Sequence, residues 1–495
     1  MKKQFLLFVF VFAALTATFA QWTSPGNGTT YTMSDLAAIN ETNVTFDSGD
    51  HSYLFRSDVT ISPNDCLFIT GEDNQVLLQG EILLTIRGSL LVLGEEEPIL
   101  FGGYAGDIGN LRLENCTEPS MFVNVEIFNL GGIKVIESDV MFKECSFQFF
   151  ENTYASSVVN YQGCDPVFRN CVFRDNMGAA ISSGVNVMGS PQIMYCQFIH
   201  NGMSNENQPQ INLGPGAEDT IRIVGCHIEG LDNLNRVGGI SVANLMQIGN
   251  TKLLLQGNTI TNNRYGYNQQ GYGINAVILD NEITDNDNEN NAMNGGSGIS
   301  INGISTNCRA ILRRNLISGN LWGITAINAY QIDLGTYSDY GNNMIHGNHN
   351  DSYGNDREYA LYVNGSNDIM AVGNYWGGDT EEYAESVIYH RPDLGESYGL
   401  VTYTPILGNN TWSVEESTAS KVRVYPNPSL GSVILTADGV EGFDFEVFNA
   451  LGQKVLTGWT NGAECTLDLG SQPRGVYYVT FIKEGQKETQ RLLLQ

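Results

Sequence analysis

Two acidic side chains and one imidazole are the candidates for acid–base chemistry in this chain. His227 and Glu229 flank Ile228 in a short β-prone run, and Glu282 lies in a related run further on. Residues two apart on a strand share a face, so His227 and Glu229 can orient one another. A glycosidase needs two carboxyl groups about 5 to 9.5 Å apart. Strand spacing places Glu229 and Glu282 about 10 Å or more apart, and an exposed polar strand face is the simpler explanation.

A metal is suggested by the segment Asp285-Asn-Asp287-Asn-Glu289. Carboxylate oxygens are the ligands that Ca²⁺ prefers, but the segment lacks the Gly and closing Glu of an EF-hand at the required offsets. Calcium held by Asp285, Asp287 and Glu289 is therefore the one cofactor that the sequence suggests. No cysteine pair has the CxxC spacing of a metal site.

Aromatic residues bracketed by Asn and Gly suggest a ligand-binding surface. Tyr265, Tyr267 and Tyr272 lie in one segment and Tyr353 lies in another, and Trp322 is close to these segments in sequence. Aromatic rings stack on sugar rings, and amides hydrogen-bond sugar hydroxyls. These residues predict glycan binding through loops, and ordinary solvated loops are the alternative.

A short sequence repeat occurs eight times between residues 140 and 350, and the fold of this repeat must position these residues. Each copy has Phe or Ile two residues after an anchor residue. A repeat of this length with short β-prone runs predicts a solenoid that stacks equivalent positions about 4.8 Å apart. The anchor residues are Cys145, Cys171, Cys196, Cys226, Asn258, Asn281, Asn315 and Asn343.

Two slots of the repeat have a structural interpretation. Six copies carry Asn five residues after the anchor, which predicts a hydrogen-bonded asparagine ladder. The four anchor cysteines share a slot with later asparagines and are expected to form a buried stack. Disulfides between Cys145 and Cys171, or Cys196 and Cys226, stay open because the coil spacing suits them. The ladder residues are Asn176, Asn201, Asn263, Asn286, Asn320 and Asn348.

The turn after each ladder position varies in length. It is short at 176–178 and 320–323, and long at 201–210, 263–273, 286–298 and 348–360. A further strand is expected after each turn, at 178–181, 238–242, 273–276, 298–301 and 323–327. Because the long turns grow from one edge of the stack, we expect them to cluster on one side of the solenoid.

The pattern resembles the right-handed parallel β-helix of the pectin-lyase-like superfamily over residues 55–407. Segments 88–94 and 98–101 resemble opening coils of secreted members, and 373–377, 399–403 and 405–407 resemble their closing coil. The resemblance implies an all-β solenoid over 55–410 after a cap region at 21–54. It also implies polysaccharide lyase or glycosidase activity as a class, yet of the hydrolase motifs only His346-Gly347 is present.

The ends of the solenoid need caps. A short helix over 33–40, with Ser34 as its N-cap, is expected to plug the first coil. Trp376 is expected to plug the last.

Residues 1–20 have the basic start, apolar core and small-residue end of a secretory signal. The chain has 54 acidic against 25 basic residues, a net charge of −29. A surface this acidic repels nucleic acid and anionic lipid headgroups. No other apolar run is long enough for a transmembrane segment. The sequence thus predicts an exported protein without a nucleic-acid partner.

The sequence pattern changes after a polar linker at 411–420. Short alternating strands over 421–495 predict a small β-sandwich. Its motifs resemble the C-terminal sorting domain of type IX secretion, which implies recognition by an outer-membrane translocon, sortase-like processing, and release or attachment at the cell surface. The motif residues are Tyr425, Pro426, Asn427, Pro428, Gly452, Lys454, Gly475 and Tyr477.

The sequence therefore predicts a secreted or cell-surface β-helix protein that binds glycan or another surface ligand through loops on one side. Two alternatives remain open: a polysaccharide lyase or glycoside hydrolase of unfamiliar type, and a structural or adhesive surface protein.

Overall fold

The computed structural model describes residues 21–408 and 422–494, except 329–330, 353–355, 428, 430, 438–441, 450–452 and 484–485, and side chains 483 and 486–488 are not described either. The chain divides into two compact units between residues 409 and 410.

Three long sheets build the first unit, and each coil contributes one strand to each sheet. We name them by their order around the repeat. The leading sheet precedes the anchor residue, the middle sheet follows it, and the trailing sheet follows the variable turn. Nearly all neighbouring strands are parallel, and the pair Val44–Asp47 and Ser52–Phe55 is antiparallel. The fold is the predicted parallel β-helix.

The leading sheet contains Thr30–Thr32, Cys66–Thr70, Ser89–Leu93, Ser120–Val123, Val140–Lys143, Val167–Arg169, Gln192–Met194, Thr220–Val224, Thr251–Gln256, Ile274–Leu279, Arg309–Arg313, Gln331–Asp333, Ile369–Met370 and Val401–Thr402. The middle sheet contains Val44–Asp47, Ser52–Phe55, Gln75–Leu78, Ile99–Gly103, Val125–Phe128, Ser146–Gln148, Val172–Arg174, Gln197–Ile199, His227–Glu229, Thr259–Thr261, Glu282–Thr284, Leu316–Ser318 and Met344–His346.

The trailing sheet contains Trp22–Thr23, Val59–Ile61, Leu83–Ile86, Gly109–Glu114, Leu130–Ile136, Ser157–Gln162, Ala179–Ser183, Pro209–Leu213, Gly238–Asn244, Tyr267–Gly271, Ser297–Gly303, Trp322–Ile327, Leu361–Asn364 and Ile388–Tyr389. Since Trp22–Thr23 and Thr30–Thr32 already pair with later coils, the cap region at 21–54 contributes strands to the solenoid. A small hairpin, His349–Asn350 with Arg357–Glu358, lies outside the three sheets.

Equivalent side chains of successive coils lie over one another, as the repeat predicts. Phe147 pairs with Phe173, Phe173 with Phe198, and Phe198 with Ile228. The rings of Phe147 and Phe173 stack with centroids 4.3 Å apart. All four side chains are fully buried, and burial of each contributes about 1.5–3 kcal/mol. These columns form the core.

Two asparagine ladders hold the bends together. In the ladder after the middle sheet, Asn286 Nδ2 donates to Ile260 O at 2.9 Å and to Asn320 Oδ1 at 3.1 Å, while its Oδ1 accepts from Asn263. A second ladder runs through the anchor slot and ends at Asn374. The predicted structural role of these asparagines is confirmed by these bonds.

Between Asn176 and Asn348 one coil lacks its ladder asparagine, because Leu231 stands in that slot. The side chain of Gln210, from the strand of the coil before, takes the empty place. Asn201 Nδ2 donates to Gln210 Oε1 at 2.9 Å, and Gln210 Nε2 donates to Asn263 Oδ1 at 3.0 Å. The ladder is therefore continuous across the irregular coil.

The four anchor cysteines form the predicted buried stack. Cys145, Cys171, Cys196 and Cys226 are at most 2% exposed, and Cys226 N–H donates to Asn258 Oδ1 at 2.8 Å, where the cysteine column meets the asparagine column. All nine cysteines are free thiols, so neither disulfide forms in this structure.

Each end of the solenoid carries buried residues of its expected cap. The helix Met33–Ile39 buries Met33 and Leu36, but its N-cap is Thr32 rather than Ser34, because Thr32 forms a capping box with Asp35. Trp376 is fully buried near the last coils, as predicted. Among the described residues, the other helices are the 3₁₀ turn Gly71–Asp73, Glu381–Val387 and Arg391–Leu394.

One strand was assigned to the wrong sheet from the sequence. Residues 273–276 lie largely in the strand Ile274–Leu279 of the leading sheet, and the trailing strand of that coil is Tyr267–Gly271. The strand Tyr267–Gly271 lacks the expected motif of Gly followed by Ile. The same motif occurs at Gly273-Ile274, where it begins a strand of the leading sheet instead. The true turn after the ladder position is therefore short, and it ends before Tyr267.

The second unit contains two antiparallel sheets around its own core, in agreement with the predicted sandwich. One sheet has the strands Val422–Tyr425, Ser432–Ala437 and Glu464–Asp468, and the other has Lys454–Thr460, Phe443–Asn449, Gly475–Lys483 and Gln486–Leu494. Its core includes Val433, Leu435, Val447, Val479 and Leu492.

Candidate functional site

A groove of about 760 Å³ lies on the outer face of the trailing sheet. Its floor is made by outward side chains of successive strands. One wall comes from the turns between the middle and trailing sheets, including Asn207, Arg264 and Met293, and Val185 and Leu245 lie at the opposite edge. The variable turns therefore border one side of the groove, as the repeat register predicts.

The floor is a column of hydrogen-bonding side chains, one from each coil. Strand pairing places its members opposite one another. Within the described part of the chain, the side chains of Asn212 and Ser300 in this column, and of Gln270 beside it, have no hydrogen-bond partner, so their polar groups are available to a ligand. The column consists of Asn212, Ser241, Asn268, Ser300, Thr325 and Tyr362.

Arg264 ties two turns of the wall together. Its Nε donates to Asn294 O at 3.0 Å, its Nη2 donates to the same oxygen, and its Nη1 donates to Asn207 Oδ1. Among the described residues, no carboxylate forms an ion pair with it. Arg264 is the single charged side chain among the described residues of the lining, and most of its donors are used to fasten the wall.

Tyr265 lies against the floor because Gly238 leaves space for its ring. A Cβ added to Gly238 would lie 2.2 Å from Tyr265 Cζ. Burial raises the pKa of Tyr265 to about 12, so its hydroxyl stays protonated at neutral pH and can donate a hydrogen bond. The predicted ligand residue thus lines the groove with its position fixed.

A group of aromatic side chains forms one end of the groove. Trp322 lies 4.7 Å from Tyr359 and 5.1 Å from Tyr362 between ring centroids, and its indole N–H donates to Ala292 O at 2.8 Å. Because Trp322 is only 5% exposed, it shapes this end and supports Tyr362 more than it offers a free ring face.

The other predicted ligand residues do not join the groove. Tyr267 points into the core and is fully buried, so its assignment to a ligand-binding loop was wrong, for the reason given above. Tyr272 follows the trailing strand and is absent from the lining. Tyr353 lies outside the described residues.

The acid–base candidates lie on another face, on the middle sheet. His227 Nε2 and Glu229 Oε2 are 2.9 Å apart, so they do orient one another. His227 pairs with Thr259 and Thr259 with Glu282, so Glu282 lies two strands away in the column of His227 rather than of Glu229. None of the three lines the groove.

The calcium candidates are only loosely grouped. Glu289 Oε1 accepts the Asn291 N–H at 3.0 Å within its own turn. Burial raises the pKa of Asp287, and the charges of Asp285 and Asp232 raise it further. Across the described residues, no three or more His, Cys, Asp or Glu side chains are arranged to hold a metal. Calcium binding stays a prediction.

The sequence did not point to the floor residues, although a signal for them existed. Ser241, Ser300 and Thr325 each follow a Gly-Ile pair in the trailing strand. Since Ile240, Ile299 and Ile324 are fully buried, the residue after each of them must face outward.

Several sorting-motif residues fix the last strand of the second unit. Asn427 Nδ2 donates to Arg491 O at 2.6 Å, and Asn427 Oδ1 accepts the Leu493 N–H at 2.9 Å. The Tyr477 hydroxyl donates to Pro473 O at 2.6 Å. Tyr425 and Pro426 precede this clamp, Lys454 pairs with Glu446, and Gly475 begins a strand with φ +146°. Pro428 and Gly452 lie outside the described residues.

Comparison with known proteins identifies the second unit. Residues 423–495 match the family model of the secretion system C-terminal sorting domain, and residues 201–380 match a family of proteins of unknown function, DUF1565. No curated protein is detectably similar to the chain.

Solved structures with a similar fold include the periplasmic alginate epimerase AlgG, at 11% identity over 77% of this chain and 80% of that chain, with a TM-score of 0.39. A double mutant of the same epimerase gives 9% identity over 77% and 81%, with a TM-score of 0.47. Within the described residues, no helix is long and apolar enough to cross a bilayer. The chain is a parallel β-helix protein with a type IX secretion C-terminal sorting domain, and it is exported to the cell surface or secreted.

Proposed function

We propose that this exported protein binds glycan in the groove on the outer face of the trailing sheet. The composition of the lining carries the proposal. Amide, hydroxyl and aromatic side chains dominate it, and these groups hydrogen-bond sugar hydroxyls and stack on sugar rings. The groove extends over several coils, so it offers many such contacts to one ligand.

The same lining favours binding over hydrolysis. Glycoside hydrolysis needs two carboxyl groups on either side of the scissile bond. Among the described residues that line the groove there is no Asp, Glu or His, in a chain with 54 acidic residues. The groove thus lacks the side chains that most often transfer protons in glycan cleavage.

A glycan array probed with the protein without its signal segment, residues 21–495, tests the proposal. Tyr265→Ala should reduce retention on the bound glycans at least about tenfold, because the ring and its hydroxyl leave the floor. Gly238→Ala should have a similar effect, since the added Cβ displaces the Tyr265 ring. Tyr337→Ala is the matched control, because Tyr337 is 66% exposed and outside the lining.

Retention that is unchanged in both variants, with unfolding midpoints equal to that of the wild type, would refute the groove as the binding site. Incubation with a polysaccharide panel, with and without calcium, tests the enzyme alternative. New product ends would show cleavage and replace the binding proposal. A protein that neither binds nor cleaves any glycan would leave the structural or adhesive role.

We also infer that sortase-like machinery removes the tail during export. The support is the match to the sorting domain, whose compact fold is separate from the β-helix. The intact mass of the protein recovered from the cell surface or medium tests this. A mature form that retains residues 421–495 would contradict it.

A further inference from the structure

The groove floor repeats with the period of the coils, and this sets the form of the ligand. Asn212, Ser241, Asn268, Ser300, Thr325 and Tyr362 are consecutive partners in the strand register. Neighbouring strands lie about 4.8 Å apart, so the column extends over about 24 Å. This spacing is close to the advance per sugar of an extended 1,4-linked glycan.

A second outward column runs beside the first. Ala243 pairs with Gln270, Gln270 with Asn302, Asn302 with Ile327, and Ile327 with Asn364. Each coil therefore presents two adjacent positions, one of which carries a hydroxyl, amide or phenol in every coil. A sugar centred on a coil can meet a polar group in one column and an amide or an apolar side chain in the other.

The charges of the groove argue for an uncharged chain. A ligand with one carboxylate per sugar would bring a negative charge to each coil. In the part of the lining that the structure describes there is a single cation, Arg264, whose guanidinium is already bonded to Asn207 and Asn294. The whole chain has a net charge of −29, so its long-range field also repels a polyanion.

From these observations, and building on the proposed function, we infer that the groove binds an uncharged, linear, extended glycan parallel to the solenoid axis, with one sugar on each coil and five or six sugars in contact. Neutral β-1,4-linked chains have this form. A branched glycan or a single terminal sugar would use only part of the floor column.

Calorimetric titration of residues 21–495 tests both features of the ligand. The probes are cello-, manno- and chito-oligosaccharides of two to eight sugars, and oligouronates of the same lengths from alginate. In at least one neutral series, affinity should rise about threefold to tenfold per added sugar and level off at five or six. Oligouronates of equal length should bind at least about tenfold more weakly. Their affinity should be lowest at low salt, where charge repulsion is least screened.

One variant checks the orientation along the floor. Asn212→Trp fills the floor at the end opposite Tyr362. It should lower the length at which affinity levels off by one or two sugars, whereas Tyr337→Ala should leave the plateau unchanged. Equal unfolding midpoints of wild type and variants show that the fold is intact.

Three results would overturn the inference: a plateau at one or two sugars, tighter binding of oligouronates, or no binding of any neutral series although the glycan array is positive. A negative array in every position, by contrast, would remove the proposed function itself. The two failures are therefore distinguishable.

Discussion

At the scale of single residues, two neighbouring arginines show how position decides what a charge contributes. Arg313 is 5% exposed, and its guanidinium binds Asp333 Oδ1 at 2.8 Å, Asp339 Oδ2 at 2.9 Å and the Asp333 carbonyl. Arg314 forms a pair with Asp280 at 2.6 Å, but half of its side chain is exposed.

We expect Arg313→Gln to lower the free energy of unfolding by about 3 kcal/mol, because it leaves a partly buried carboxylate without its partner. Arg314→Gln is the matched control and should cost about 0–1 kcal/mol, since solvent screens an exposed pair. Urea unfolding of both variants measures the difference, and equal losses would contradict the distinction.

Asp65 gives a prediction on pH dependence. It is fully buried, which raises its pKa, but hydrogen bonds from Ser24 and from the backbone N–H groups of Gly26, Thr29 and Gly28 outweigh burial and hold the pKa below its usual value. A carboxyl of this kind stabilises the fold above its unfolded pKa and loses its contribution as the pH falls through the folded pKa.

The difference in unfolding free energy between wild type and Asp65→Asn should therefore be largest near neutral pH and shrink below about pH 4. Urea titrations at several pH values measure it. A difference that grows on acidification would show that the carboxylate is not the stabilising form.

At the scale of elements, the asparagine ladder joins consecutive bends. Asn286→Ala should destabilise the solenoid by about 3 kcal/mol, because it removes the acceptor of the buried Asn263 backbone N–H and the hydrogen bonds that Asn286 Nδ2 donates to Ile260 O, Thr284 O and Asn320 Oδ1. Asn290→Ala, at an exposed position of the following turn, is the control and should change stability by less than about 0.5 kcal/mol. Similar losses of stability in both variants would show that the ladder hydrogen bonds do not stabilise the solenoid.

The repeat predicted the elements well and the groove only in part. A repeat position that is always apolar, such as that of Phe147, Phe173 and Phe198, indicates burial directly. The stacking of the coils and the side on which the turns lie could therefore be predicted from the position of each residue in the repeat. Outward residues such as Asn212 and Gln270 follow no consensus, because solvent accepts any polar side chain there. Tyr267 was misplaced because the local Gly-Ile signal belonged to a different strand.

At the scale of the whole molecule, the tail determines the destination of the chain, which is the cell surface or the medium. A chain truncated after residue 420 should accumulate in the periplasm, because the sorting domain matched at 423–495 is lost. Immunoblots of periplasm, cell surface and medium measure the distribution. The full-length chain with Asn461→Ala, an exposed turn position, is the control and should be exported normally. Surface or medium recovery of the truncated chain would contradict the role of the tail.

Gln210 has a consequence for how the windings of this fold are recognised from sequence. The winding of Leu231 has no ladder amide of its own, and the winding before it supplies one, so the row is not interrupted. A count of windings by their consensus asparagine therefore misses this winding.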